Sequence, residues 1–362
     1  MKKLLAIILC CIISFSFAAC TSEKINTENT KETEVEKEAT GVFSKETKEI
    51  IENKFKNFKG IIYVTKDGEL VYSQAAGKDE KGNELKVNTP MYVGSVSKQF
   101  CATAIMMLKE QGKLSVDDTL DKYFPDYKYG KDITIKNLLT MRSGIPEMIT
   151  GIMGHAPSEI ESENVEFIKN WTFDQPLNFE PDTDYEYSNT NYFLLSNIVE
   201  MVSGEYYNDF IRDNIFVPLK MNDTCFVVEV KDKPFFSDCL TYDTFTIGEG
   251  APGVPKGAGD IVTTAPDMDK WMTALRNKKL ISEESFNEMK QNYSTDVGGN
   301  YGYGLNMLYM RGVGHYGSIG SYRSVDYINE EYGYNIYAVT TESYTKLETL
   351  PEKLASILIS HE

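Results

Sequence analysis

GSVSKQF, residues Gly94 to Phe100, lies between an extended segment, Pro90-Met91-Tyr92-Val93, and the apolar run CATAIMML. That run reads as the buried face of a helix from Ser95 to Gln111, closed by Gly112, since glycine favours helix C-termini. A lysine at the head of such a helix needs a reason. Residues three apart share a helix face, so Lys98 can lie under the Ser95 hydroxyl. A helix N-terminus carries partial positive charge, and burial penalises an ammonium further. Both effects favour a lysine that can take a serine proton near neutral pH. The spacing alone is common: Ser343 to Lys346 repeats it, but after a strand, among charges, with no apolar helix behind.

On either side of this junction the chain alternates hairpins and helices. Gly60–Thr65 and Leu70–Ala75 flank an Asp67-Gly68 turn, a strong hairpin signal. Ser324–Ile328 and Tyr334–Thr341 flank a second turn at 329–333. Helical spacing is expected over Lys45–Phe58, Ile135–Met141, Asn191–Val202, Glu205–Ile215 and Leu347–Ser360, with a loop at Leu177–Tyr187. The predicted architecture is α/β (α+β): an antiparallel β-sheet flanked by N- and C-terminal helices, with an inserted mainly helical subdomain. The sheet subdomain takes about 41–94 plus 256–362, the helical one about 95–255, and a cleft is expected between them.

The first forty residues read differently. Lys2 and Lys3, an apolar run from Leu4 to Phe17 and Ala18-Ala19-Cys20 have the layout of a secretory signal. The last three residues resemble a bacterial lipobox, which predicts a lipoprotein signal peptide over 1–20 with Cys20 lipidated. Residues 21–40 contain no aromatic and are rich in Glu, Lys, Thr and Asn, so they predict a disordered acidic tether. The expected location is extracytoplasmic, on the membrane through the lipid anchor only. A net charge of −17 opposes nucleic-acid binding and tolerates cationic substrates. Cys101, Cys225 and Cys239 form no disulfide framework, though a Cys225–Cys239 bridge is possible. The histidines are His155, His315 and His361, without a zinc-binding motif, so no metal or cofactor is expected.

Two further segments carry candidate chemistry. PDTDYEYSNTNY, Pro181 to Tyr192, ends an extended loop just before a helix. The Tyr187 hydroxyl there could shuttle a proton, and the Asn189 amide could orient either substrate or lysine. GVGHYGSIGSYRS, Gly312 to Ser324, places glycines in a strand-like stretch, which suggests close backbone approach and a free N–H for a developing oxyanion. His315 projects near that edge.

Taken in order, these three segments resemble the serine β-lactamase and penicillin-binding-protein superfamily, in particular the branch of class C β-lactamases, D,D-carboxypeptidase B and esterases. Gly60–Gly68, ITIKNLLTMRSGIP (Ile135–Pro146), FVPLKMNDT (Phe216–Thr224), GAGDIVTTAPDMDKW (Gly257–Trp271) and YGYGL (Tyr301–Leu305) resemble it too. The resemblance implies a β-lactamase/transpeptidase-like serine hydrolase domain over 41–362. Ser95 would be the acyl-enzyme nucleophile, with Lys98 and Tyr187 as base and proton relay. Asn189 would contact the substrate amide. His315, Gly317 and Ser318 would line the substrate strand, and the backbone N–H groups of Ser95 and Ser318 would form the oxyanion hole.

Three departures matter. His315 stands where class C β-lactamases carry lysine, Tyr316 where they carry a small hydroxyl residue, and Asp182 where glycine is usual. The first two argue against efficient β-lactam hydrolysis. Residues Met148 to Trp171, with Ile149, Ile152, Met153 and His155, are expected to lie over the cleft as a lid. The expected substrates are peptidoglycan peptides, teichoic-acid D-alanyl esters or other small D-amino-acyl compounds. The alternatives are a class C-type β-lactamase and a penicillin-binding sensor that does not turn over.

Overall fold

A computed structural model describes residues 44–152, 157–241, 254–342 and 347–361. The signal peptide with Cys20, the tether, Met153 and His155 of the lid, and the Ser343–Lys346 repeat lie outside the described residues.

The strands run β1 (Gly60–Lys66), β2 (Glu69–Ala76), β3 (Met91–Tyr92), β4 (Cys225–Phe226), β5 (Ile261–Thr263), β6 (Asn306–Met307), β7 (Val313–Gly314), β8 (Tyr316–Ile319), β9 (Tyr322–Ile328) and β10 (Tyr334–Thr340). The main sheet is antiparallel in the order β2-β1-β10-β9-β7-β6, with β8 also paired to β9. The two predicted hairpins are therefore neighbours, joined by β1 against β10 in the register Ile61↔Val339. Asp67 and Gly68 take φ of +52° and +86°, the paired positive values of a tight hairpin turn.

The helices are α1 (Lys45–Phe55), α2 (Lys98–Glu110), α3 (Ile135–Leu139), α4 (Met148–Ile152), α5 (Glu161–Asp174), α6 (Asn189–Ser203), α7 (Tyr207–Ile211), α8 (Val217–Leu219), α9 (Pro234–Ser237), α10 (Ala265–Arg276), α11 (Glu283–Met289) and α12 (Leu350–Ser360). Ile51 and Phe55 of α1 and Leu350, Leu354 and Leu358 of α12 pack on Ile62, Val64, Ile336 and Ala338. The alternate residues Ile61, Tyr337 and Val339 face the other core, which holds Trp271 of α10 and all of buried α2. Both faces of β1 and β10 are covered, so these strands read as nearly continuous apolar runs.

α2 is apolar on all sides from Phe100 to Leu108 because it is enclosed on all sides. Phe100 stacks on Trp271 with ring centroids 3.9 Å apart. The one other long polar side chain buried in α2, Gln99, donates to Asp326 Oδ1 at 2.7 Å and accepts from Trp271 Nε1 at 2.9 Å. That pair of bonds fixes the rotation of α2 relative to the sheet.

Several expectations need correction. The helix predicted from Ser95 begins at Lys98, and Gly94–Ser97 form a 3₁₀ turn ahead of it. Gly94 has φ of +51°, and the Ser97 hydroxyl donates to the Gly94 carbonyl at 2.7 Å, which tightens the turn. The stretch assigned to the helical subdomain also contributes β4, which pairs with β5 beside β3 in a second, three-stranded sheet. Cys101, Cys225 and Cys239 are free thiols, so the possible Cys225–Cys239 bridge is not formed.

Candidate active site

A cavity of about 730 Å³ opens along β8, and its lining includes Ser95, Tyr187, Ser318, Arg323, Glu342 and Glu348. The 3₁₀ turn that carries Ser95 is held on two sides. Behind it, Val93 N–H donates to Ile261 O at 3.2 Å, and Ser97 Oγ accepts from Ile261 N–H at 3.1 Å. In front of it runs β8.

Contact with β8 is too close for side chains. A Cβ on Gly317 would stand 1.9 Å from Val93 O and 2.3 Å from Ser324 Oγ, and one on Gly94 would stand 2.7 Å from Ser318 N. Pairing parity then aims the Ser318 amide. Asp326 N–H donates to His315 O at 3.2 Å, so 315/326 is a bonded pair, and with the register Gly317↔Ser324 so is 317/324. Ser318↔Arg323 is the non-bonded pair between turns of the ladder, and its N–H points off the free edge toward the Gly94–Ser95 turn. Two donors, the amides of Ser95 and Ser318, can thus converge on one oxygen.

Lys98 is fully buried and makes three hydrogen bonds through Nζ: to Ser95 Oγ at 3.1 Å, Asn189 Oδ1 at 2.6 Å and Ala258 O at 2.6 Å. The last two partners are carbonyl oxygens, which only accept. A neutral Lys98 keeps two N–H bonds, and these satisfy the two carbonyls. Its free electron pair then faces Ser95 Oγ, the one partner able to give up a hydrogen.

Asn189 opens α6 and turns toward the lysine, so of the two roles left open for it the structure shows it holding Lys98. Its own amide N–H and its Nδ2 both donate to Glu147 Oε2, at 2.7 and 3.0 Å. Glu147 escaped the sequence reading because it falls between two segments, just after Pro146 and just before the supposed lid. The available signal was an acidic residue at the start of a short helix.

Tyr187 is half-buried at the cavity wall, with its ring centroid 5.0 Å from Lys98 Nζ and 6.0 Å from the Tyr301 ring. Its hydroxyl oxygen is buried without a hydrogen bond of ordinary geometry, and the Ser95 hydroxyl is its neighbour. Burial pushes the phenol far above its ordinary pKa; the neighbouring Ser95 hydroxyl offsets part of that, while Tyr185 and Glu147 add to it. Tyr187 is therefore a neutral phenol at physiological pH.

His315 is enclosed, only 2% exposed. Nδ1 faces the Tyr316 carbonyl and so carries the hydrogen, leaving Nε2 to accept from Tyr301 Oη at 2.8 Å. Burial, then the charge of Lys98, lowers its pKa to about 3. It brings no positive charge to the cleft, and both ring nitrogens are occupied. Arg323 is the cation lining the cavity among the described residues, and its Nη1 donates to Gly320 O and Tyr322 O.

Asp182 takes φ of +68°, the left-handed conformation that suits the expected glycine. Its carboxylate accepts from Arg142 Nε at 2.7 Å, and its carbonyl accepts from the same guanidinium. Arg142 also reaches Asp296 at 2.7 Å, tying the Tyr187-bearing loop to the segment after α11. The lid is placed differently from expectation: none of the described residues of Met148–Trp171 lines the cavity. Met148 is buried, and Gly151 packs against the Trp171 ring, because α4 rests on α5 and α6.

These elements define the mixed α/β class of the β-lactamase/transpeptidase fold. FmtA from Staphylococcus aureus, a solved structure, shares it with a TM-score of 0.72 at 22% identity, covering 89% of this chain and 92% of that one. The family described as Beta-lactamase matches residues 49–357. The chain belongs to the β-lactamase family. The putative penicillin-binding protein PbpX of Bacillus subtilis (strain 168) is 33% identical over 239 residues, 64% of this chain and 58% of that protein. Teichoic acid D-alanine hydrolase of Staphylococcus aureus (strain MRSA252) is 26% identical over 243 residues, 66% of this chain and 59% of that protein. The chain thus spans less than two thirds of the length of these relatives.

Proposed function

We propose that the protein is a serine hydrolase of the cell envelope that removes D-amino-acyl groups through an ester on Ser95, with D-alanyl esters of teichoic acid as the leading substrate. The observation that carries the chemistry is the Lys98 contact to Ser95 at 3.1 Å, backed by two acceptor-only partners. In the first half-reaction the Ser95 hydrogen passes to Lys98 while Oγ bonds to the ester carbonyl carbon. The carbonyl oxygen, now anionic, rests between the Ser95 and Ser318 amides. Collapse breaks the bond to the polymer oxygen, which takes a hydrogen relayed from Lys98 through the Tyr187 phenol. Water then attacks the D-alanyl–Ser95 ester, its hydrogen returns to Ser95, and D-alanine leaves. Tyr187, held neutral, suits relay better than first abstraction, which falls to Lys98.

Two features support the substrate class. The cavity holds Glu342 and Glu348 and lacks the cationic lysine that His315 displaces, which fits an ammonium-bearing acyl group. One of the relatives is named a teichoic acid D-alanine hydrolase. A signal peptide with lipidated Cys20 and an acidic tether would put the domain outside the cytoplasmic membrane, beside that polymer. A second reading, D,D-carboxypeptidase action on peptidoglycan stems, rests on Arg323, whose guanidinium could meet a terminal carboxylate.

Purified chain should release D-alanine from D-alanylated lipoteichoic acid faster than from wall peptide stems, and Ser95→Ala should release none from either. The reverse preference would replace the first reading with the second, and release by Ser95→Ala would end both. Tyr187→Phe should slow turnover roughly 10²-fold. Because it deletes a buried, poorly satisfied hydroxyl beside Ser95, its melting temperature should change little. A marked drop in melting temperature would show that the phenol holds a structural hydrogen bond.

A further inference from the structure

We infer that Glu147 is a positioning residue for this chemistry: it holds the Asn189 amide in the one orientation that leaves the Lys98 electron pair facing Ser95. The inference rests on the acyl-enzyme reading above. A carboxamide has two nearly isosteric ends, one that donates and one that accepts. Turned over, Asn189 would present its NH₂ group to Lys98. A protonated lysine would be repelled by that group. A neutral one would spend its electron pair on the amide, and Ser95 would lose its base.

Glu147 blocks the turned-over state. Its Oε2 accepts from Asn189 Nδ2 at 3.0 Å and from Asn189 N at 2.7 Å, and a carboxylate has no hydrogen with which to meet the Oδ1 end. The carboxylate is itself pinned. Oε1 accepts from Ile149 N–H at 3.0 Å at the start of α4. On either side, Pro146 O accepts from Thr190 Oγ1, and Met148 N–H donates to the same hydroxyl, both at 2.7 Å. Residues 146–148 are thus laced to 188–190, and the order Glu147, Asn189, Lys98, Ser95 forms one hydrogen-bonded chain.

Glu147 also supplies a negative group beside the N-terminus of α6, which stabilises a helix wherever it occurs. That role alone would change the melting temperature and leave acylation unaffected once the protein is folded. The decisive experiment is a double-mutant cycle on the full chain. It measures acylation by a fluorescent penicillin at pH 5 to 9, with melting curves, for wild type, Glu147→Ala, Asn189→Ala and the double variant.

Glu147→Ala should acylate about 10- to 100-fold more slowly, the scale set by loss of orientation, and the pH midpoint of its rate should move. In the Asn189→Ala background, removing Glu147 should cost less than about threefold more, since groups that act in series are not additive. Glu147→Gln, whose amide oxygen can still accept from Asn189, should lose less than Glu147→Ala. It decides the cycle if the alanine variant fails to fold. Acylation within about threefold of wild type, or losses that multiply in the double variant, would overturn the inference. Labelling that persists in Ser95→Ala would instead overturn the acyl-enzyme reading itself.

Discussion

Lys98→Ala is expected to slow acylation of Ser95 by about 10³-fold, within the range measured for loss of a positioned general base. The reason is geometric. Lys98 Nζ lies 3.1 Å from Ser95 Oγ, and the other side chain beside that hydroxyl, the Tyr187 phenol, is held neutral by its burial. Lys98→Arg should not rescue, because a guanidinium keeps its charge and cannot accept the serine hydrogen. Single-turnover labelling by a fluorescent penicillin measures the effect, with a melting curve to show that the chain is folded. The variant should also lower stability, because it leaves Asn189 Oδ1 and Ala258 O without the Lys98 donor. Any rate limb near the ordinary histidine range, about pH 6.5, will not belong to His315, which stays neutral down to a pH of about 3. Labelling of Lys98→Ala within tenfold of wild type would mean that another group takes the hydrogen.

Gly317→Val should be the second severe lesion, and it acts without touching any reacting side chain. The new Cβ would meet Val93 O at 1.9 Å, and that peptide cannot retreat because Val93 N–H is bonded to Ile261 O. Ser324 Oγ, 2.3 Å from the new Cβ, is engaged as well, donating to Val93 O at 2.7 Å. The conflict resolves only if β8 leaves the Ser95 turn, and the Ser318 amide goes with it. Loss of one oxyanion donor costs about 10² to 10³ in rate, and overpacking costs about 1–3 kcal/mol in stability. The control is Ser318→Ala, which keeps the backbone donor and should retain activity within a few-fold. If Gly317→Val turns over normally, the oxyanion is held elsewhere.

The sequence carried the frame of the fold because its signals were local. Asp67-Gly68 specifies its own turn, and the spacing in Lys45–Phe58 and Leu347–Ser360 anticipates helices that do cover one face of the sheet. Ser95 and Lys98 could be paired from three positions of spacing, and the structure brings them together. What the sequence could not convey depends on residues far apart in the chain. The strand Cys225–Phe226 is two residues long and exists only because Ile261–Thr263 lies alongside. The direction of the Asn189 amide is set by Glu147, forty-two positions earlier. His315 could be placed near a strand edge from the sequence, but its bond to Tyr301 through Nε2 could not. The lid was inferred from the composition of Met148–Trp171. Gly151 packs on the Trp171 ring, and none of the segment's described residues lines the cavity.

The union of β1 with β10 has a consequence for how the molecule is made. Across the sheet Ile61 pairs with Val339, so all of the chain between them must be synthesised before the central strand pair can exist. Until then the hairpin of β1 and β2 has one unsatisfied edge, open to aggregation or to capture by a chaperone. A transcript that stopped short of Tyr334 would yield a polypeptide carrying Ser95, Lys98 and Tyr187, with no middle to the sheet that should support them.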